Sequence, residues 1–186
     1  RENLLEEIDE QAKELLGADF SVSDRQPIPD SIYYSFKWLS SDESSEVYFA
    51  SMAYFPSTDG TRLMQVRALS GNYPYYGNIE TVPDTAAAHF QSGPYALVDE
   101  KVMLQYNVEI GDSVKVGNRS FQILGKLKKI PGQSGDGNTV SPVVYIPGDY
   151  LEETGLVQKG SRINYTLYYQ FHPDIDTTNV WQEAFE

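Results

Sequence analysis

The sequence predicts an α+β fold, and three observations carry that reading. Stretches with an apolar residue at every second position outnumber those at helical spacing. Turn dipeptides such as Asp59-Gly60 and Gly117-Asn118 set these strand-like runs back to back as hairpins. The helical stretches are short and scattered among the strands, without the regular βαβα alternation of a parallel-sheet protein. The pattern amounts to about nine strands and five short helices. With 186 residues, 40% of them apolar, the chain is long enough for one domain with a core or for two small subdomains.

The first element is an amphipathic helix. Leu4, Leu5, Ile8, Ala12, Leu15 and Leu16 recur at helical spacing, Glu6, Glu7, Glu10 and Glu14 lie between them, and Gly17 stops the run. Such a helix ordinarily packs on a core. The sharper reading is a stalk leading out of an upstream membrane helix. Residues 18–23 alternate as a strand. Pro27 and Pro29 then break the chain, and Asp30-Ser31 is placed to cap a short helix carrying Ile32, Tyr33, Phe36, Trp38 and Leu39. Residues 40–45 read as a polar loop. Residues 47–55 and 62–69 read as strands joined through Asp59-Gly60. An aromatic turn, Tyr73-Pro74-Tyr75-Tyr76-Gly77, follows, then a short strand at 79–82 and one or two helical turns at 84–90.

The chain is organised around residues 96–127. A strand over 95–98 enters a helical stretch with Val102, Met103, Leu104 and Tyr106, which ends near Asn107. Ile110-Gly111-Asp112 turns into an alternating run at 113–116, Gly117-Asn118 reverses it, and residues 120–125 return. Beyond a Gly-rich loop at 131–141 come a buried-looking strand at 143–146, a short helix at 149–154 stopped by Gly155, and the clearest strand, INYTLYYQF, at 163–171. Asp176-Thr177 caps a last helix with Val180, Trp181 and Phe185. The sequence starts inside one helical pattern and stops inside another, so a longer parent chain is expected.

Charge and chemistry exclude several function classes. The net charge of −13 repels nucleic-acid backbones and anionic lipid headgroups. There is no cysteine, hence no disulfide and no thiol catalysis, and no apolar run approaches the length of a membrane span. The only imidazoles are His89 and His172, and the loop around Ser134 and Asp136 is neither a nucleophile elbow nor a phosphate cradle. Asp42, Glu43 and Glu46 form an acidic cluster without the calcium-loop pattern, expected as a solvated loop. The expectation is therefore no catalytic residue, no metal and no cofactor. A contact surface is expected at Tyr73, Tyr75 and Tyr76 with Ser134 and Asp136, because tyrosines stack on sugars and peptides as well as filling cores.

One set of motifs, in order, resembles a known family. KELLGAD at 13–19 is followed by QPIP at 26–29, YPYYG at 73–77, ALVDE at 96–100, IGDSV at 110–114, FQILG at 121–125 and TGLVQKGSR at 154–162. Together they resemble the extracytoplasmic core domain of MacB/FtsX-type ABC transporter permeases, in the branch associated with lysophospholipase biosynthesis. The resemblance implies a porter-like α/β lobe, residues 1–80 with 161–186, and an inserted β-rich lobe at 81–160. It implies a non-catalytic domain outside the bacterial cell membrane, in periplasm or at the cell exterior. There it would couple cytoplasmic ATP hydrolysis to movement or export of an apolar or protein substrate. The implied partners are the chain's own transmembrane helices, a cytoplasmic ATP-binding subunit, and a second permease copy or an extracytoplasmic protein. Leu4, Leu5, Ile8 and Leu15 are the expected lever residues of the stalk. The rival readings are an extracytoplasmic module binding lipid, sugar or peptide, and a secreted hydrolase using Ser134 and a histidine.

Overall fold

The computed structural model describes residues 2–132 and 141–176, and side chains from residue 9 onward. Helix α1 (Glu2–Leu16) leads into strand β1 (Phe20–Asp24), helix α2 (Asp30–Phe36) and the long hairpin of β2 (Ser40–Phe55) and β3 (Gly60–Ser70). Then follow β4 (Glu80–Val82), α3 (Ala86–His89), β5 (Tyr95–Asp99), α4 (Glu100–Gln105), β6 (Ser113–Val116), β7 (Arg119–Lys129), β8 (Val143–Pro147) and β9 (Asn164–Phe171). The arrangement is mixed α and β, as expected. The helix expected from Asp176-Thr177 onward, together with Ser134 and Asp136, lies outside the described residues.

The nine strands described form one mixed sheet in the order β1-β9-β2-β3-β8-β5-β7-β4, with β6 bridging β7 and β2. That bridge closes a ring. Going round, β2 pairs β3, β3 pairs β8, β8 pairs β5, β5 pairs β7, β7 pairs β6, and β6 returns to β2. Six strands thus make a small barrel, which removes the exposed edges that an open sheet would carry. Its interior is filled by Phe49, Phe55, Met64, Val66, Phe121 and Ile146 with their neighbours. The pairs β3–β8 and β5–β7 are parallel and the rest antiparallel.

β2 belongs to two structures at once. Its second half closes the barrel through Ala53 and Tyr54, opposite Val116 and Lys115. Its first half runs beside β9, from Ser40 opposite Phe171 to Tyr48 opposite Asn164, and β9 in turn pairs β1. Residues 40–45 are thus strand where the sequence suggested a polar loop. The pairing with β9 overrides their weak strand propensity. β9 is covered on both faces. Tyr168 packs under the 73–77 turn, while Tyr169 and Phe171 pack with Leu39 under α2.

Local signals behave as the chemistry requires. The four-residue loop between β2 and β3 has Asp59 at φ 55°, beside Gly60. The β6–β7 reversal uses Gly117 at φ 57°. Asp99 caps α4, accepting from the Lys101 and Val102 amides at 2.9 and 3.1 Å. At α2, Pro29 and not Asp30 is the cap, and its side chain has no acceptor to offer the helix amides. The described side chains of helix α1 belong to none of the core clusters. Of its side chains from residue 9 onward, all are exposed except the half-buried Lys13. No helix among the described residues is long and apolar enough to cross a membrane.

Candidate functional site: the joint between the first helix and the sheet

Because the described side chains of α1 are exposed apart from Lys13, the residues that fix its exit from the body decide what the helix can do. Its end is closed by Gly17, whose amide donates to the Lys13 carbonyl at 2.7 Å with φ at +72°. A side chain at that position would meet the Tyr73 ring, since a Cβ would stand 2.8 Å from its edge. Glycine is therefore required both by backbone conformation and by close approach.

The aromatic turn grips this end from three sides. The Tyr73 hydroxyl donates to the Leu16 carbonyl at 3.0 Å, inside the last turn of α1. The Tyr75 amide donates to the Gly17 carbonyl at 2.8 Å. The Tyr76 hydroxyl donates to the Asp19 carboxylate, 3.0 and 2.9 Å from its two oxygens. Asp19 also accepts the Phe171 amide at 2.8 Å, and its own amide donates to the Tyr169 carbonyl at 3.0 Å. One carboxylate thus ties helix exit, aromatic turn and β9 together, and each charge-assisted bond is stronger than a neutral one. Lys13 lies over the Tyr76 ring and 3.9 Å from Asp19, and pairs with Asp9 at 3.0 Å on the exposed helix face.

The turn is in turn anchored below. The Tyr73 amide donates to Ser44 Oγ at 3.0 Å, and Ser44 Oγ shares a 2.6 Å hydrogen bond with the Tyr75 hydroxyl. The Tyr73 ring stacks on Tyr168 at 3.8 Å between centroids. The Tyr168 hydroxyl points to Glu46 Oε2 at 3.4 Å, and Glu46 Oε1 pairs with Arg67 Nη1 at 3.0 Å. Glu46, expected in a solvated cluster, is buried at 1% exposure. The reason is register. In the β2–β3 hairpin Glu46 sits opposite Leu69 and Arg67 opposite Tyr48, so the two charges are diagonal neighbours on one face.

Protonation follows from these surroundings. Burial pushes the Glu46 carboxyl above its ordinary range, with Arg67 and the Tyr168 hydroxyl pulling the other way. Burial works against the Arg67 charge too, but Glu46 and the nearby tyrosines outweigh it and hold the guanidinium protonated. Burial, with Glu46, pushes Tyr73 up to about 12. Burial, with Asp19, pushes Tyr76 up to about 12. Tyr75 is likewise pushed up to about 12, mainly by burial. All three hydroxyls therefore stay protonated and available as donors at neutral pH.

The sequence-derived residues divide accordingly. Tyr73, expected on a contact surface, is 7% exposed and serves internal packing, which leaves only the half-buried Tyr75 and Tyr76 at the rim. Leu15 is 63% exposed and lines an open groove with Gly77, Asn78 and residues 129–132. The side chains of Leu4, Leu5 and Ile8 lie outside the described ones, although their backbone is in α1. Asp19, Ser44, Glu46 and Arg67 were not singled out as joint residues. The signal for Glu46 and Arg67 was the Asp59-Gly60 turn, from which the diagonal can be counted. His89 is exposed and its ring bonds the Thr85 carbonyl at 2.8 Å. His172 is exposed at the end of β9. No group of three or more metal-ligating side chains converges among the described residues.

The model of the MacB-like periplasmic core domain family matches residues 3–184. The chain is 24% identical over 164 residues to the uncharacterized ABC transporter permease YbbP of Escherichia coli K12, an alignment covering 88% of this chain and 20% of that protein. The chain therefore spans 20% of the length of this relative. A domain of a Porphyromonas gingivalis protein described as a permease superposes with a TM-score of 0.52 at 10% identity, covering 81% of this chain and 65% of that one. The extracellular domain of the noncanonical ABC-type transporter YknZ from Gram-positive bacteria gives 0.50 at 12% identity, covering 88% of both chains. At these identities the structural likeness is one of fold.

Proposed function

This chain belongs to the MacB-like periplasmic core domain family, and from that premise we propose how it works as the extracytoplasmic domain of an ABC transporter permease. Helix α1 is a stalk. Movement of the parent protein's membrane helices, driven by ATP hydrolysis in a cytoplasmic ATP-binding subunit, enters the domain through it. The joint at Gly17, Asp19 and the 73–77 turn passes that movement to the sheet as a rotation of the whole body. The domain does no chemistry of its own. It pushes against a second permease copy or an extracytoplasmic protein, and an apolar or protein substrate is expelled or handed on.

The single observation carrying this reading is the hydrogen-bonded grip on the end of a helix whose side chains over residues 9–16 are exposed apart from Lys13. A free tether would need no such grip, and a core helix would not be exposed. We treat residues 1–80 with 161–186 as the porter-like lobe and 81–160 as the inserted one. The inserted strands share a ring with β2 and β3, so the two lobes are expected to turn together and not to hinge at their boundary.

The experiment is a proline in the stalk. Glu10→Pro removes a helical hydrogen bond and kinks α1, at about 3 kcal/mol locally. In the full-length permease, transport-coupled ATPase activity is expected to fall sharply while Glu10→Ala retains it. Unchanged coupled activity in Glu10→Pro would overturn the stalk.

A further inference from the structure

The far end of β1 carries a cationic groove. A groove of about 950 Å³ is lined by Arg25, Gln26 and Pro27, which follow β1, and by residues 157–165, which lead into β9. Its walls hold three cationic residues, Arg25, Lys159 and Arg162, and no acidic one. The chain as a whole has 27 acidic residues against 14 basic ones. Twelve lining residues drawn at random from such a sequence would carry acids more often than bases. All three cations are exposed, and none makes an ion pair or side-chain hydrogen bond with another described residue.

We propose that this groove is a docking site for an acidic segment of a partner polypeptide. Two guanidinium forks and an ammonium group match carboxylates, the forks in bidentate fashion. Gln26 and Asn164 add amide groups that can bond a peptide backbone, and Val157 adds an exposed apolar wall. The position argues against a lipid surface. α1 enters β1 at Phe20, whereas the groove begins beyond Asp24, which faces Tyr165. It therefore lies at the other end of the strand, about 13 Å further along. A concentrated cationic site on a strongly acidic body also gives selectivity, because an acidic partner is repelled wherever else it lands. The choice of a polypeptide over a lipid rests on α1 being the membrane-side stalk proposed above, whereas the charge complementarity does not.

The probe is a fluorescent ten-residue oligoglutamate peptide, titrated into the chain at low salt, with binding followed by anisotropy. Saturable binding is expected, with amide chemical-shift changes confined to residues 25–27 and 157–165. The triple variant Arg25→Glu, Lys159→Glu, Arg162→Glu is expected to weaken it at least about tenfold. The charge-matched control Lys101→Glu, Lys115→Glu, Lys128→Glu, at exposed lysines outside the groove, is expected to change it less than about threefold. Absence of peptide binding, or equal weakening in both triple variants, would overturn the proposal. So would tighter binding to phosphatidylglycerol vesicles than to the peptide, which would assign the groove to a lipid headgroup. Inorganic phosphate competing as effectively as the peptide would reduce it to a small-anion site and would equally overturn the docking role.

Discussion

Gly17→Ala is the substitution that most sharply separates a gripped helix end from an incidental turn. Two costs are expected. Holding an L-residue at φ +72° costs about 1–2 kcal/mol. The new Cβ would also stand 2.8 Å from the Tyr73 ring, and that ring has no room to retreat because it stacks on Tyr168 at 3.8 Å. Moving it disturbs the hydrogen bond to Leu16 and the stack, together about 1–2 kcal/mol. Gly111→Ala supplies the reference. Gly111 has φ +96° but nothing within 4 Å of its would-be Cβ, so it carries only the backbone term. Urea denaturation of the two variants is expected to place Gly17→Ala lower in stability by about 1–2 kcal/mol. Amide exchange at Tyr75, whose N–H bonds the Gly17 carbonyl, is expected to quicken in Gly17→Ala alone. Equal destabilisation, with Tyr75 exchange unchanged, would refute the claim that the turn presses on the helix end.

Other substitutions probe the layers beneath. Asp19→Ala removes the acceptor for the Phe171 amide and the Tyr76 hydroxyl and is expected to cost about 2–3 kcal/mol, against about 1 for Tyr76→Phe; denaturant titration of both variants checks the order. Glu46→Ala strands Arg67 inside the body and is expected to cost about 3–5 kcal/mol. Glu46 also sets a pH dependence. Its folded carboxyl titrates above the ordinary 4.5, so the native state holds more protons than the unfolded one between that value and the raised one. Stability is expected to fall as pH rises through that window, and Glu46→Gln should flatten the slope. The same sign applies to Tyr76 at alkaline pH, with stability lost between its unfolded value of 10.0 and about 12. Tyrosinate absorbance recorded alongside unfolding, with Tyr76→Phe as reference, follows that loss.

Much of the fold was legible because its local signals are self-contained. Gly17 ends α1, and Asp59-Gly60 and Gly117-Asn118 turn hairpins, each through chemistry within a few residues. What escaped depends on distant partners. The run SSDESS at 40–45 reads as a polar loop and becomes strand only because β9, more than a hundred residues on, lies alongside it. The closing of the barrel rests on Ala53 and Tyr54 meeting Val116 and Lys115, a contact no local pattern announces. For the joint, KELLGAD and YPYYG were both noticed as motifs, but not as two halves of one contact. Tyr73 shows why. A tyrosine in a proline turn reads as core filling or as a contact surface, and its burial here follows from the Gly17 and Tyr168 surfaces that enclose it.

The central claim is that stalk and sheet form one rigid body, and an inter-spin distance tests it most directly. The given sequence has no cysteine, so in a full-length permease stripped of any cysteine elsewhere, Glu10→Cys on α1 and Lys115→Cys on β6 are the two labelling sites. Pulsed electron–electron double resonance on the full-length permease, resting and during ATP turnover, is expected to give one narrow distance that does not change. A broad distribution, or a distance that shifts with turnover, would mean that α1 swings on Gly17 and that the sheet is not driven through it.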